Sequence, residues 1–222
     1  MLLQTPLRRR LFKPWHTSRT WYSTIVEPEF QSSINLPTSN HHDLPSFLDY
    51  ASRVGVDPQS SVYVGTVYEY IVQASLARLG ISLKRMGGRS DYGIDLLGTW
   101  NAPSAASPLK VLVQCKARVT KSKPSEIREL EGAFVGAPSG WRGTGVLGIF
   151  VSQQEATKGV REAIGRSRWP MGYVMCTGQG KILQMLWNRR ADDEGLLGVG
   201  VTVNYVGGDR HDKEIVLVWP KK

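Results

Sequence analysis

The chain has 222 residues, 41% of them hydrophobic, enough for one domain with a real core, and no apolar run nears the roughly 18 residues that span a bilayer. Its formal charge of +9 suits a polyanionic partner without demanding one, because Arg8, Arg9, Arg10, Lys13 and Arg19 all precede Glu27, the first acidic residue, and the remainder is 23 basic against 19 acidic, or +4. The two cysteines, Cys115 and Cys176, lie in apolar strand-like runs without metal-ligand spacing and read as buried reduced thiols, not a disulfide framework.

Residues 1–25 are rich in Arg, Ser and Thr, lack Asp and Glu, and intersperse Leu2, Leu3, Leu7, Leu11 and Phe12 among the basic positions. This is the composition of a mitochondrial transit peptide, cut near Arg19 to Ser23; a secretory signal would need an unbroken apolar centre. Residues 26–56 are polar and carry Pro28, Pro37 and Pro45, which reads as a linker with one short helix over Leu44 to Val54. His41, His42 and Asp43 are neighbours in a loop and do not converge on one ion.

Asp57-Pro58 signals a helix start and Gly80 a stop, bracketing a helix whose apolar stripe is Val64, Tyr68, Ile71, Val72, Leu76 and Leu79. At 100° per residue Glu69 falls roughly 20° from Leu76 on the helical wheel, so it points towards the core and requires a cation, supplied either by an active-site cluster or by one of several arginines at a boundary position. Gly65, one turn earlier, lets the helix approach the sheet closely. A strand over Ile81 to Met86 is turned by Gly87 and Gly88 into a second apolar run in which Ile94, Leu96 and Leu97 surround Asp95, an expensive place for an unpartnered carboxylate. After a small-residue insert comes a third strand, Lys110 to Ala117. Strand alternation puts Val111, Val113 and Cys115 on one face and Leu112, Gln114 and Lys116 on the other. If the second and third strands pair, Asp95 comes near Gln114 and Lys116. Carboxylate and amide oxygens are hard ligands suited to Mg²⁺ or Mn²⁺, and the ammonium can orient a water or hold a phosphoryl oxygen.

Beyond Lys116 the basic residues Arg118, Lys121 and Lys123 accumulate before Glu126, as a phosphate-contacting run or as ordinary solvated charge. Pro124 opens a helix with Ile127, Leu130 and Phe134 on one face. The loop 136–145 presents Trp141 and Arg142, where an indole can stack on a base or pack onto its own domain. Val146 to Val151 reads as a buried strand, Ser152 and Glu155 as a capping box for a helix with the stripe Ala156, Val160, Ala163 and Ile164, and Met171 to Thr177 as a further strand. Two alternating runs, Gly198 to Val206 and Glu214 to Trp219, flank GGDRHDK as a hairpin that extends the sheet, covers an edge or makes a homodimer contact.

The blocks G-x-x-D-x-G-I-D-L (Gly88 to Leu96) and V-Q-C-K (Val113 to Lys116) resemble the Mrr-like branch of the PD-(D/E)XK restriction-endonuclease superfamily, over about residues 57–186. Within that branch the size and N-terminus look like a fungal mitochondrial family required for respiratory growth. The resemblance implies Asp95 as the metal-binding aspartate, Gln114 at the acidic-or-Gln position, Lys116 as the lysine and Asp91 as a supporting acidic residue, with Glu69 placed like the glutamate of the first helix.

The expected fold is α/β: a restriction-endonuclease-like core (α-β-β-β-α-β) with a mixed central sheet flanked by helices, residues 57–190, plus a C-terminal β-hairpin extension, residues 191–222. The expected function is a mitochondrial-matrix, Mg²⁺- or Mn²⁺-dependent endonuclease acting on DNA, with RNA as a variant substrate, and no membrane insertion. Asp95, Gln114 and the Cys115 backbone carbonyl are expected to hold the ion, with Glu69 reaching it through water; Arg118, Lys121, Lys123, Trp141 and Arg142 are the expected nucleic-acid contacts. The rival is a nuclease fold that has lost catalysis and binds mitochondrial nucleic acid or a protein partner.

Overall fold

In the computed structural model, residues 40–86, 93–205 and 213–220 are described. The expected transit segment, Asp91, Gly87, Gly88 and most of the hairpin turn lie outside them. The elements run α1 (Leu44–Val54), α2 (Ser61–Ala77), β1 (Ile81–Arg85), β2 (Leu96–Trp100), β3 (Leu109–Lys116), α3 (Pro124–Gly136), β4 (Val146–Ser152), α4 (Lys158–Arg166), β5 (Met171–Cys176), β6 (Ile182–Trp187), α5 (Arg189–Ala191), a π turn (Asp192–Leu196), β7 (Gly200–Tyr205) and β8 (Lys213–Val218).

Six strands form one mixed sheet in the order β1-β2-β3-β4-β5-β6, and β7-β8 form a separate two-stranded ladder. β1, β2 and β3 are antiparallel neighbours, β3-β4 and β4-β5 are parallel, and β6 returns antiparallel to β5. Parallel strands need crossovers, which α3 and α4 supply, and this accounts for β4 being buried along its whole length.

One face of the sheet packs Leu83, Leu96, Val111, Val113, Ile149 and Val174 against Tyr68, Val72 and Leu76 of α2. Tyr68 donates its hydroxyl to the Cys176 carbonyl at 2.8 Å, tying α2 across the sheet. The hairpin shares the same cluster. Ile215 is buried in it, Leu217 and Trp219 pack beside it, Trp219 meets Trp100 edge to face at 6.0 Å, and Arg78 bonds Glu214 at 2.6 Å.

Several expectations change. α1 has the expected boundaries but is no free linker: Phe47 and Ala51 bury against Tyr70, with Tyr63 and Val67 alongside. Its N-cap is Asp43, whose carboxylate accepts from Ser46 N at 2.9 Å, and His41 bonds the Tyr70 hydroxyl at 2.6 Å. The helix α2 is capped by Ser60, three residues after Asp57. Thr157, not Ser152, caps α4, because Ser152 is the buried last residue of β4. The strand β6 went unanticipated.

Candidate functional site

At the end of β3 remote from Leu109, β2 has not yet begun. Asp95 stands one residue before it. Its N–H donates to the Val113 carbonyl at 2.9 Å and its own carbonyl accepts from Met86 N at 2.9 Å, so the residue is pinned between β1 and β3 instead of lying mid-strand as expected. The carboxylate then accepts from the Cys115 backbone N–H at 2.6 Å. Since the N–H and C=O of one strand residue project to the same side, the Cys115 carbonyl faces the Asp95 side as well, away from β4.

Gln114 is 5% exposed, and its Oε1 is buried with no hydrogen-bond partner. Its Nε2 lies against the turn before Asp95: a Cβ on Gly93, whose φ is +77°, would come within 3.2 Å of it. Thus the glycine both makes the turn and leaves room for the amide. Lys116, two residues on and on the same face, is half-buried and has no carboxylate within salt-bridge distance among the described residues.

The Cys115 thiol reports the field here. Burial pushes it well above its ordinary value, the Asp95 and Glu69 carboxylates and Cys176 push it further, and Lys116 opposes them. Asp95, Glu69 and Lys116 therefore all act on one point at the end of β3. They do not share one face: Cys115 packs on the α2 side, and Glu69 approaches from there, whereas Gln114 and Lys116 lie opposite.

Glu69 is 14% exposed at its side chain, as its wheel position requires, but the cation that accompanies it is Arg85, at the end of β1. Arg85 Nε donates to Glu69 Oε2, and its guanidinium lies 6.0 Å from the Tyr70 ring centre. Arg85 is the site residue that the sequence did not disclose; an arginine closing a short strand looks solvated until its partner is known. The four charged groups sum to zero. Among the described residues no three His, Cys, Asp or Glu side chains gather to hold a metal ion.

The expected nucleic-acid contacts are dispersed. Trp141 is 3% exposed, so its indole packs inward and presents no face for stacking. Arg118 forms a salt bridge with Glu126, a residue buried despite its charge, whose other oxygen accepts from Lys123 N at 2.8 Å. Lys121 lies 3.9 Å from Glu155, and Arg142 Nε donates to the Ala137 carbonyl at 2.6 Å.

The chain is similar to a mitochondrial protein of Schizosaccharomyces pombe, 30% identical over 155 residues, which cover 68% of this chain and 61% of that protein, less than two thirds of its length. It is similar also to "Required for respiratory growth protein 7, mitochondrial" of Saccharomyces cerevisiae strain S288c, 28% identical over 204 residues (72% of this chain, 81% of that one), and of Zygosaccharomyces rouxii, 28% over 192 residues (68% and 76%). No solved structure matches. The relatives are named mitochondrial, and this chain is a mitochondrial protein, in keeping with the N-terminal composition. The sequence model of the family described as Required for respiratory growth protein 7 matches residues 60–107 and 102–202, and the chain belongs to that family.

Proposed function

We propose that this protein is a metal-dependent endonuclease of the mitochondrial matrix that hydrolyses DNA, on a restriction-endonuclease-like core formed by α2, β1, β2, β3, α3 and β4, and that it serves mitochondrial genome maintenance. The observation that carries this reading is the Gln114 Oε1. A buried acceptor without a donor costs about 1–3 kcal/mol, a cost offset when a cation or its water takes the lone pair. The names of the relatives, which state a requirement for respiratory growth, support the cellular role.

Asp95, Gln114 and the Cys115 carbonyl are the oxygen donors that would hold Mg²⁺ or Mn²⁺. Such an ion, when bound, polarises the scissile phosphate and acidifies a water. The chain's own contribution is positional. Two backbone contacts and the Cys115 N–H fix the Asp95 carboxylate before any ligand arrives. Lys116, with no carboxylate in salt-bridge distance among the described residues, holds an anionic phosphoryl oxygen and orients the attacking water. Glu69, neutralised by Arg85, adds little net charge.

Purified protein is expected to nick supercoiled DNA with Mg²⁺ or Mn²⁺ and to lose at least about 100-fold of that activity in Asp95→Asn, Asp95→Ala and Lys116→Ala, the scale typical of removing a positioned charge. Circular dichroism should show the fold retained. Activity unchanged in these variants would sink the proposal.

A second reading is favoured by the charge-neutral set that Asp95, Glu69, Lys116 and Arg85 make among the described residues. Under it the protein binds mitochondrial nucleic acid, DNA or RNA, without cutting, and binding is salt-sensitive but indifferent to chelator and to Lys116→Ala.

A further inference from the structure

The strand order places a set of loops at the end of the sheet opposite Asp95. β3, β4 and β5 are parallel, so the segments entering them lie at one end, and the segment leaving antiparallel β6 joins them. The hydrogen bonds agree: Lys110 N donates to Gly145 O at 2.8 Å, Gly148 N to Pro170 O at 2.9 Å and Asn188 N to Met171 O at 3.0 Å. These loops carry Arg142, Arg166, Arg168, Arg189 and Arg190, all exposed.

Asn188 holds the last four together. It is 6% exposed, donates to the carbonyls of Ile164 (3.0 Å) and Trp169 (2.8 Å), and accepts from Met171 N and Ala191 N, both at 3.1 Å. The segment bearing Arg166 and Arg168 is thereby fastened to the one bearing Arg189 and Arg190.

The two ends of the sheet differ in how their positive charge is used. At the Asp95 end Arg85, Arg118, Lys121 and Lys158 each have a carboxylate within 4.0 Å, and among the described residues there Lys116 and Lys123 do not. At the opposite end, among the described residues, none of the five arginines does. Three acidic residues follow Arg190, but Asp192 accepts from Trp187 Nε1 at 2.7 Å and Glu194 from Gly145 N at 2.8 Å, which turns both inward and leaves Asp193 exposed.

We infer that this arginine row is a second surface, apart from the Lys116 site, that grips a nucleic-acid backbone, and that the basic run after β3 is not. Neighbouring strands are about 4.8 Å apart, so a row across β3 to β6 extends roughly 15 Å. Guanidinium forks pair bidentately with phosphate oxygens, which suits Arg in this place over Lys. Among the described residues of this end Trp141 is buried, Trp169 is stacked on Phe134 at 4.9 Å and Trp187 donates Nε1 to Asp192, so the exposed arginines set the contact as one with backbone and not bases. The choice of nucleic acid as the polyanion rests on the proposed function; the location of the surface does not.

The test is fluorescence anisotropy of the full chain with a short labelled DNA duplex across a salt series. It compares wild type, the quadruple variant Arg166→Gln/Arg168→Gln/Arg189→Gln/Arg190→Gln, and Lys121→Gln/Lys123→Gln. The basic N-terminus is common to all three and cancels. The quadruple variant should bind at least about 10-fold more weakly and lose roughly 3 to 4 units of the salt slope, at about 0.9 per phosphate contact, with circular dichroism unchanged, while the lysine variant binds like wild type. Equal binding by the quadruple variant, loss confined to the lysine variant, or no duplex binding by wild type overturns the inference. So does wild-type association with phosphatidylcholine vesicles containing phosphatidylglycerol when the duplex is not bound. Nicking of supercoiled DNA with Mg²⁺ is read separately, so a wild type that binds duplex through the row yet does not nick sinks the hydrolase reading and leaves the row standing.

Discussion

Gln114 concentrates the question of what the site holds. Its amide nitrogen lies against Gly93 and its oxygen is buried without a donor, so the side chain carries an acceptor with nothing to receive. Replacing both halves by an apolar group of similar shape removes the orphan altogether. Gln114→Met is expected to be as stable as wild type, or up to about 1 kcal/mol more stable, in chelator. It should also lose the stabilisation that Mn²⁺ confers on wild type, both read by urea denaturation. Equal Mn²⁺ stabilisation of the two proteins would show that the amide oxygen takes no part. Asp95 and Lys116 were legible because a polar residue inside an apolar run is conspicuous. Arg85 was not, since its partner Glu69 stands on another element and a strand end is an ordinary place for an arginine. The burial of Glu126 was hidden for the same reason, its partner Arg118 lying outside the helix.

Among the elements, β2 shows where the periodic signal ran out. The apolar run marks Leu96 and Leu97, yet the strand continues through Gly98, Thr99 and Trp100. Gly98 marks a close approach: paired with Leu83, it would carry a Cβ 1.8 Å from the Ser82 carbonyl oxygen and 2.7 Å from the Leu83 Cα. Both are backbone atoms that cannot swing aside. Gly98→Ala should therefore cost roughly 3 kcal/mol, a fall in Tm of about 6–12 °C for a chain of this size by differential scanning calorimetry. An unchanged Tm would mean that β1 and β2 sit farther apart. The long helices and the buried strands were read within a few residues because their periods are strong. β6 gives no strand signal because ILQMLW, half-buried on both faces, has neither clean alternation nor a fully apolar run.

Across the whole molecule, α1 is held to the rest through an aromatic cluster around His41, whose ring lies 4.8 Å from Phe47, 5.5 Å from Tyr50 and 5.7 Å from Tyr70. Burial, then the Arg85 guanidinium and His42, hold the His41 pKa below its ordinary value. A depressed folded pKa means that the unfolded chain binds the proton more readily, so this contribution is complete above about pH 6.5 and is lost as the pH falls through the folded value. Acidification from about pH 7.5 to 5.5 should then cost wild type more unfolding free energy than it costs His41→Gln. Identical losses would remove His41 as the cause. The parallel ladder has a different bearing, on the order of assembly. Gln114 and Lys116 are lodged opposite Phe150 and Ser152 of β4, which reach them only after α3 has crossed over, whereas Asp95 meets its own strand pairs through shorter connections. Loop closure has to precede that reward, so such contacts form late. A chain newly arrived in the organelle would complete its β1 to β3 meander first and seat Lys116 against β4 only at the close of folding.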